Sequence, residues 1–196
     1  MNANKQILVI AGPSGSGKNT LIRELMRSHP GTEFLITATT RTPRAGEIDG
    51  KDYYFFSQER FDDELSSGNI AGERFVSLFG GTHYGIYLPD LRKRLLTAKI
   101  IFAPVDLSGA QYLKETYGAT TIFLMPESVE AYRRRVRVRD PDMSPVELDL
   151  RMKITDIEMR VHAPQYDYRL VSADGAITDV AAQVVDILHK EGYNLA

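Results

Sequence analysis

The sequence predicts an α/β fold: a parallel five-stranded core sheet flanked by helices, with an inserted lobe and a helical lid. Three observations carry this. Short apolar runs alternate with amphipathic segments along most of the chain. A glycine-rich turn joins the first apolar run to the first helical segment. Residues 42–85 break the alternation and are rich in Gly, Tyr and Phe. Strands that alternate with helices lead to a parallel sheet covered on both faces, because each helix is the crossover that returns the chain.

The elements follow in order. Ile7–Ile10 is the first strand, since every residue is β-branched or Leu and turn residues follow at once. Lys18–Ser28 is a helix, closed by His29-Pro30-Gly31. Phe34–Thr40 is the second strand. Ser57–Ser67 is a helix with Phe61 and Leu65 on one face and Gly68 as its stop. Residues 42–85 form an inserted lobe with its own small sheet. Leu88–Thr97 is a further helix, and Ile100–Val105 and Thr121–Met125 are strands. Ser128–Arg139 is helical, with Val129, Tyr132 and Val136 as an apolar stripe. Ser144-Pro145-Val146-Glu147 supplies a capping Ser, a first-turn Pro and Glu at the third helical position. That helix runs to about His162, before Ala163-Pro164. Tyr168–Val171 is the last strand, and Asp179–Glu191 is a terminal helix ended by Gly192.

Composition excludes several function classes. The 196 residues suit one domain, at most with an inserted subdomain. Lys plus Arg number 24 and Asp plus Glu 26, a net charge of −2, which speaks against a strongly basic nucleic-acid binder. Without cysteine there is no disulfide scaffold, thiolate zinc site or cysteine catalysis. The longest apolar runs, Ile7–Ala11 and Ile100–Val105, fall far short of the roughly 20 residues that span a bilayer. The first six residues carry no long apolar region, so the expectation is a cytoplasmic protein. The four histidines are scattered and lack metal-ligand spacing.

Gly12-Pro13-Ser14-Gly15-Ser16-Gly17-Lys18 follows a strand and opens a helix. Glycines let the backbone wrap a phosphate, and a helix N-terminus aims its N–H groups at it. Lys18 adds a point charge for the β and γ phosphates. The residue after this Lys is Asn19 rather than Ser or Thr, with Thr20 next. An amide oxygen is a legitimate hard ligand, so Asn19 can still take Mg²⁺, and Thr20 can reach the metal region if the helix start shifts. A second anion site lies at Thr37–Phe55, where Arg41 and Arg44 stand at a strand end and grip one phosphate from two sides. Pro43 and Gly46 shape the turn, and Tyr53 adds a hydroxyl donor.

At these residues the chain resembles the guanylate kinase family. The loop G-P-S-G-x-G-K stands at Gly12–Lys18, and the signature T-T-R-x-P-R-x-G-E-x-(D/N)-G-x-D-Y-x-F matches Thr39–Phe55. Tyr84-Gly85, Val105-Asp106 with Gly109, the Arg135/Arg139/Arg151 set and Tyr166-Asp167-Tyr168 extend the likeness over nearly the whole chain. The resemblance implies a P-loop kinase that moves a phosphoryl group from ATP to a nucleoside monophosphate, GMP above all, with Mg²⁺. It implies catalytic roles for Lys18, Arg44, Arg139 and Arg151. Gly12, Ser14, Gly15, Ser16, Gly17, Lys18, Asn19, Thr20 and Arg135 would hold ATP. Arg41, Arg44, Tyr53 and Tyr84 would hold the phosphate of GMP, and Thr37 and Asp106 would lie at its base, with Glu73 beside them if the loop holds about two extra residues. Asn19 and Asp106 would face the metal. The partners are then nucleotides, with neither nucleic acid nor membrane, and the chain is a monomer or homodimer. The parts become a core (about 1–40, 86–130 and 163–196), an acceptor-binding lobe (about 41–85) and a lid (about 131–160).

The dense run Arg133, Arg134, Arg135, Arg137 and Arg139 admits three readings: a nucleic-acid patch, a solvated helix face, or a lid. Arg135 and Arg139 are four apart and share one face, and Arg151 lies in the capped helix beyond a turn-rich connection. The lid is favoured, because phosphoryl transfer needs positioning and charge neutralisation more than a covalent partner.

The base-reading region departs from the family. An E-(F/L)-x-E-W segment precedes the Tyr-Gly there, whereas here Gly72-Glu73-Arg74 stands farther from Tyr84 and tryptophan is absent. Ile86, Pro104 and Ser172 replace a hydroxyl residue, an acid and an Asn. Two rivals follow: a kinase of ribose 1,5-bisphosphate with the same kind of loop, and a non-catalytic guanylate-kinase-like binding module. The intact Thr39–Phe55 signature speaks against the first, and Lys18 with the lid arginines against the second.

Overall fold

The structure, a computed structural model, describes residues 5–76 and 81–195 and leaves the side chain of Arg139 outside the described set. Strand β1 (Ile7–Ala11) runs into helix α1 (Lys18–Ser28). The chain returns as β2 (Thr32–Phe34) and passes directly to β3 (Thr37–Thr39), in a second sheet. Strand β4 (Tyr54–Phe55), helix α2 (Gln58–Ser66) and strands β5 (Ile70–Val76) and β6 (Thr82–Tyr87) complete that lobe. Helix α3 (Leu88–Leu95) leads back to β7 (Ile100–Ala103), then α4 (Leu107–Tyr117) and β8 (Thr120–Pro126). Helices α5 (Val129–Arg139) and α6 (Pro145–Ile157) follow. A π-helical turn at Glu158–His162 and a short 3-10 turn at Ala163–Gln165 then lead to β9 (Tyr168–Ser172) and α7 (Ile177–Lys190).

The core sheet has five strands in the order β2-β7-β1-β8-β9, all parallel. Strands β1 and β7 are apolar throughout because each face is buried. Ile7, Val9 and Ala11 point to one side and pack with Leu91 and Leu113 of α3 and α4. Leu8 and Ile10 point to the other and pack with Leu21 and Leu25 of α1 and Val184 and Leu188 of α7. A half-buried strand would have alternated; these do not. The second sheet has the order β4-β3-β6-β5, with β6 antiparallel to both neighbours. No helix among the described residues is long and apolar enough to cross a membrane.

Three elements differ from expectation. Phe34–Thr40 is not one strand: Phe34 pairs with Phe102 in the core, and Thr37 pairs with Ile86 in the lobe. The chain changes sheets at Leu35 and Ile36, both buried, so composition carries no mark of the break. The helix expected to His162 is α-helical only to Ile157, with the π turn taking Glu158–His162. Helix α4 was not anticipated. Its buried positions are Gly109, Ala110 and Leu113, too small a set to form an apolar stripe. Its signals are Asp106, whose side chain accepts from the Gly109 N–H at 3.2 Å, and Gly118, left-handed at φ 65°.

A buried network fixes the lobe on the core. Asp90, 5% exposed, accepts from the Tyr54 hydroxyl at 3.0 Å and from Arg94 Nε at 2.5 Å. Arg94 also reaches Glu33 at 2.8 Å. Burial, and then the bond to Asp90, push the Tyr54 hydroxyl up to about 12.

Asp167 clamps the last core strand. It accepts from the Thr121 N–H at 3.0 Å and hydroxyl at 2.8 Å, and it pairs with Lys114. Partial burial works against its charge, but Lys114 and the Thr121 donors outweigh it and hold the carboxyl below the ordinary aspartate value. A depressed carboxyl stabilises the fold above the unfolded-state value and loses that contribution as pH falls through the folded one. Asp167→Asn should therefore cost about 1 kcal/mol at pH 7, discounted for exposure. Thermal melts should show the gap closing below pH ~4; a gap that persists there would rule out the charge as its source.

Candidate active site

The phosphate loop sits between β1 and α1. Gly12, Gly15 and Gly17 hold φ of 142°, 100° and 96°. A Cβ on Gly12 would stand 2.4 Å from the Leu124 carbonyl oxygen, so only glycine fits there. Gly17 caps α1 with no side-chain bond and no acidic residue follows in the first turn, which leaves that helix end suited to an anion. Lys18 folds back over the loop and donates to the carbonyls of Gly12 at 2.6 Å and Pro13 at 2.8 Å. The Ser16 hydroxyl is buried with no hydrogen-bond partner among the described residues. Tyr132 of α5 braces the loop by donating to the Ser14 carbonyl at 2.9 Å. Arg135 donates to the Ser172 carbonyl at 2.8 Å and to Asp174 at 2.7 Å. Lys18, Asn19, Thr20, Arg23, Arg134 and Arg135 line one side of a cleft of about 1140 Å³.

A second cavity of about 290 Å³ opens between the loop and the lobe. Thr37, Arg41, Arg44, Tyr53 and Tyr84 line it. The register sets Thr39 opposite Tyr84, and the Tyr53 ring meets the Tyr84 ring edge-on at 6.3 Å. The Arg41 guanidinium lies 5.5 Å from the Tyr53 ring centre and 5.6 Å from that of Phe55. It bonds Glu47 at 2.9 Å, and the other Glu47 oxygen accepts from the Arg44 N–H at 2.7 Å. Burial disfavours the Glu47 carboxylate, but these bonds outweigh it and its pKa lies below the ordinary value. Burial, reinforced by Tyr84, pushes the Tyr53 hydroxyl above its ordinary value, so it stays a donor. The two cavities share Ser14, Lys18, Thr37, Arg44, Tyr53 and Pro104, so two cationic clefts meet at Lys18 and Arg44.

Comparison with known proteins supplies the family. The model of the family described as "Guanylate kinase" matches residues 4–191. The chain belongs to the guanylate kinase family. The guanylate kinase of Trichormus variabilis is 31% identical over 183 residues, covering 93% of this chain and 88% of that relative. The guanylate kinase of Geobacter metallireducens is 36% identical over 167 residues, covering 85% and 80%. The crystal structure of guanylate kinase from Anaplasma phagocytophilum aligns with a TM-score of 0.72 at 28% identity, over 99% of this chain and 89% of that one.

Not every residue that the guanylate kinase pattern nominated meets at the clefts. Glu73 is absent from the lining, which takes Gly72, Arg74 and Val76 from β5. A register shift between Ala71 and Arg74 sends the Glu73 carboxylate to His83 Nδ1 at 2.7 Å instead. Arg151 lines neither cavity and donates to Asp140 at 3.1 Å. The side chain of Arg139 lies outside the described residues. Arg74, Glu158, His162 and Tyr166 carry no site role in the sequence analysis, although Tyr166 belongs to the family likeness, and all four line the acceptor cavity. Their available signals were strand parity with Val76 and a helix that outlasts its own α-helical turns.

The donor set fits a triphosphate nucleotide, because three left-handed glycines, an open helix end and Lys18 converge. For Mg²⁺, no group of three or more His, Asp or Glu that could hold a metal occurs among the described residues. A cation shared with phosphates and water needs only one or two protein oxygens, and exposed Asn19 on the larger cleft meets that need. Asp106 does not join it. It lines the smaller cavity, caps α4 and pairs with Arg74 at 3.3 Å.

Proposed function

We propose that this chain transfers the γ-phosphoryl group of ATP to GMP, giving ADP and GDP. The observation that carries the reading is the pair of cationic clefts sharing Lys18 and Arg44, each with its own anion grip. Family membership supports the same activity.

The loop N–H groups and Lys18 hold the β and γ phosphates, and Arg135 closes the larger cleft beside them. Arg41, Arg44, Tyr53 and Tyr84 hold the acceptor phosphate, whose oxygen attacks the γ phosphorus with no side-chain nucleophile between. Thr37 and Asp106 lie toward the base. Arg139 and Arg151 act on the transferring group, and Arg151, which donates to Asp140, reaches it by movement of the lid. Closure excludes water and so limits hydrolysis. Asn19 would hold Mg²⁺, which would supply charge neutralisation when bound. The working parts are a core (about 1–40, 86–130 and 163–196), an acceptor lobe (about 41–85) and a lid (about 131–160), in a cytoplasmic monomer or homodimer.

A coupled ADP-release assay over GMP, dGMP, AMP, UMP and ribose 1,5-bisphosphate tests the reading. GMP should give the highest kcat/KM. No turnover of GMP, with no GMP binding by calorimetry, would overturn it.

A further inference from the structure

The acceptor cavity carries a second charged set besides the Arg41–Arg44 grip. Arg74 Nη1 stands 3.3 Å from Asp106 Oδ2 and 4.0 Å from Glu158 Oε1. All three residues line the cavity. These pairs are looser than Arg41–Glu47 at 2.9 Å, and both run through the single nitrogen Nη1. Neither is the bidentate fork that locks a guanidinium in place. The Arg74 side chain keeps 36% of its surface exposed and lines the cavity.

The backbone around this set is fixed. Gly72, at φ 57°, lies so close to α4 that a Cβ there would stand 2.7 Å from Gly109 Cα. The bulge beside it turns Glu73 to His83 and Arg74 toward the cavity, opposite Tyr84 in the register. Glu158 sits on the π turn, a distortion that recurs where a helix serves a site. Burial raises its carboxyl above the ordinary value, with Arg74 the strongest of the charges opposing the shift.

A donor-only fork beside two acceptor-only carboxylates has a definite complement. Guanine presents acceptors at O6 and N7, and donors at N1–H and the 2-amino group. Adenine would turn its 6-amino donor to the guanidinium, donor against donor. We propose that Arg74 is a specificity-determining residue of the acceptor site: it donates to O6 and N7 of the base while Asp106 and Glu158 accept from N1–H and the 2-amino group. This rests on the reading as a GMP kinase and adds to Asp106, which the resemblance already places at the base, a residue that the family signature does not name.

The test compares the full chain with Arg74→Met and Arg74→Lys. The acceptors are GMP, AMP and 7-deaza-GMP, which lacks the N7 acceptor. The wild type should prefer GMP over both analogues. Arg74→Met should raise the KM for GMP by roughly 10- to 100-fold, the range of one bidentate base contact, and erase the penalty for 7-deaza-GMP. Its kcat should stay within a few-fold. Arg74→Lys keeps the charge next to Asp106 and Glu158 but loses the planar fork, so it too should lose the preference over 7-deaza-GMP. It carries the test if Arg74→Met fails to fold. Wild-type GMP activity with unchanged GMP:AMP and GMP:7-deaza-GMP ratios in the folded variants would overturn this proposal alone, and would leave Arg74 a strut or a phosphate ligand. A wild type that phosphorylates another acceptor and not GMP would overturn the function and this proposal together.

Discussion

Lys18→Ala should lower kcat by roughly 1000-fold or more while the protein still folds and still binds GMP. The ammonium lies across the loop on the carbonyls of Gly12 and Pro13, on the wall common to both clefts. A positive charge there acts on both phosphates and gains most where negative charge moves between them. Water in the space left by alanine screens rather than neutralises, so the loss falls on the chemical step. Single-turnover kinetics with saturating ATP and GMP should show it, and a thermal melt should show a native fold. A kcat within tenfold of wild type would remove Lys18 from the transfer step.

Arg41→Ala should raise the KM for GMP by about 100-fold and leave the KM for ATP near its wild-type value. Arg41 lines the acceptor cavity and not the larger cleft. Glu47 and the rings of Tyr53 and Phe55 hold its guanidinium, so little ordering remains when a phosphate arrives. The substitution also removes the Arg41 partner of the Glu47 carboxylate and leaves it the bond from the Arg44 N–H. Arg41→Lys should fall between, since an ammonium keeps the charge and loses the fork. Steady-state kinetics with each substrate varied in turn separates these outcomes. An unchanged KM for GMP would exclude Arg41 from the phosphate grip.

The core was legible because its physics is local. β-branched runs, the glycine loop and the Ser144–Glu147 capping box each state their geometry within a few residues, and the capping box is present as expected. Where a feature depends on distant neighbours, sequence reasoning lost it. Leu35 and Ile36 are buried at the crossing between two sheets, so nothing apolar or polar marks where Phe34–Thr40 divides. Helix α4 is packed through Gly109 and Ala110 against Val105 and the lobe, and small residues leave no stripe. The phosphate grip was legible because Arg41, Arg44 and Tyr53 come from one continuous stretch. The base end was not, because its parity turns on the irregularity between Ala71 and Arg74. That shift moves Glu73 off the cavity and Arg74 onto it. Arg151 was read from its motif, yet its contact is with Asp140 on the neighbouring connection, a pairing that only the fold reveals.

The central claim is that one phosphate chain can run from the larger cleft to the smaller past Lys18 and Arg44. The most direct measurement uses a single molecule with adenosine at one end and guanosine at the other, joined by a chain of phosphates. Calorimetry should give one molecule bound per chain, and steady-state inhibition should be competitive against both ATP and GMP. Binding should weaken in both Lys18→Ala and Arg41→Ala. Two molecules bound per chain, or competition with only one substrate, would contradict the account.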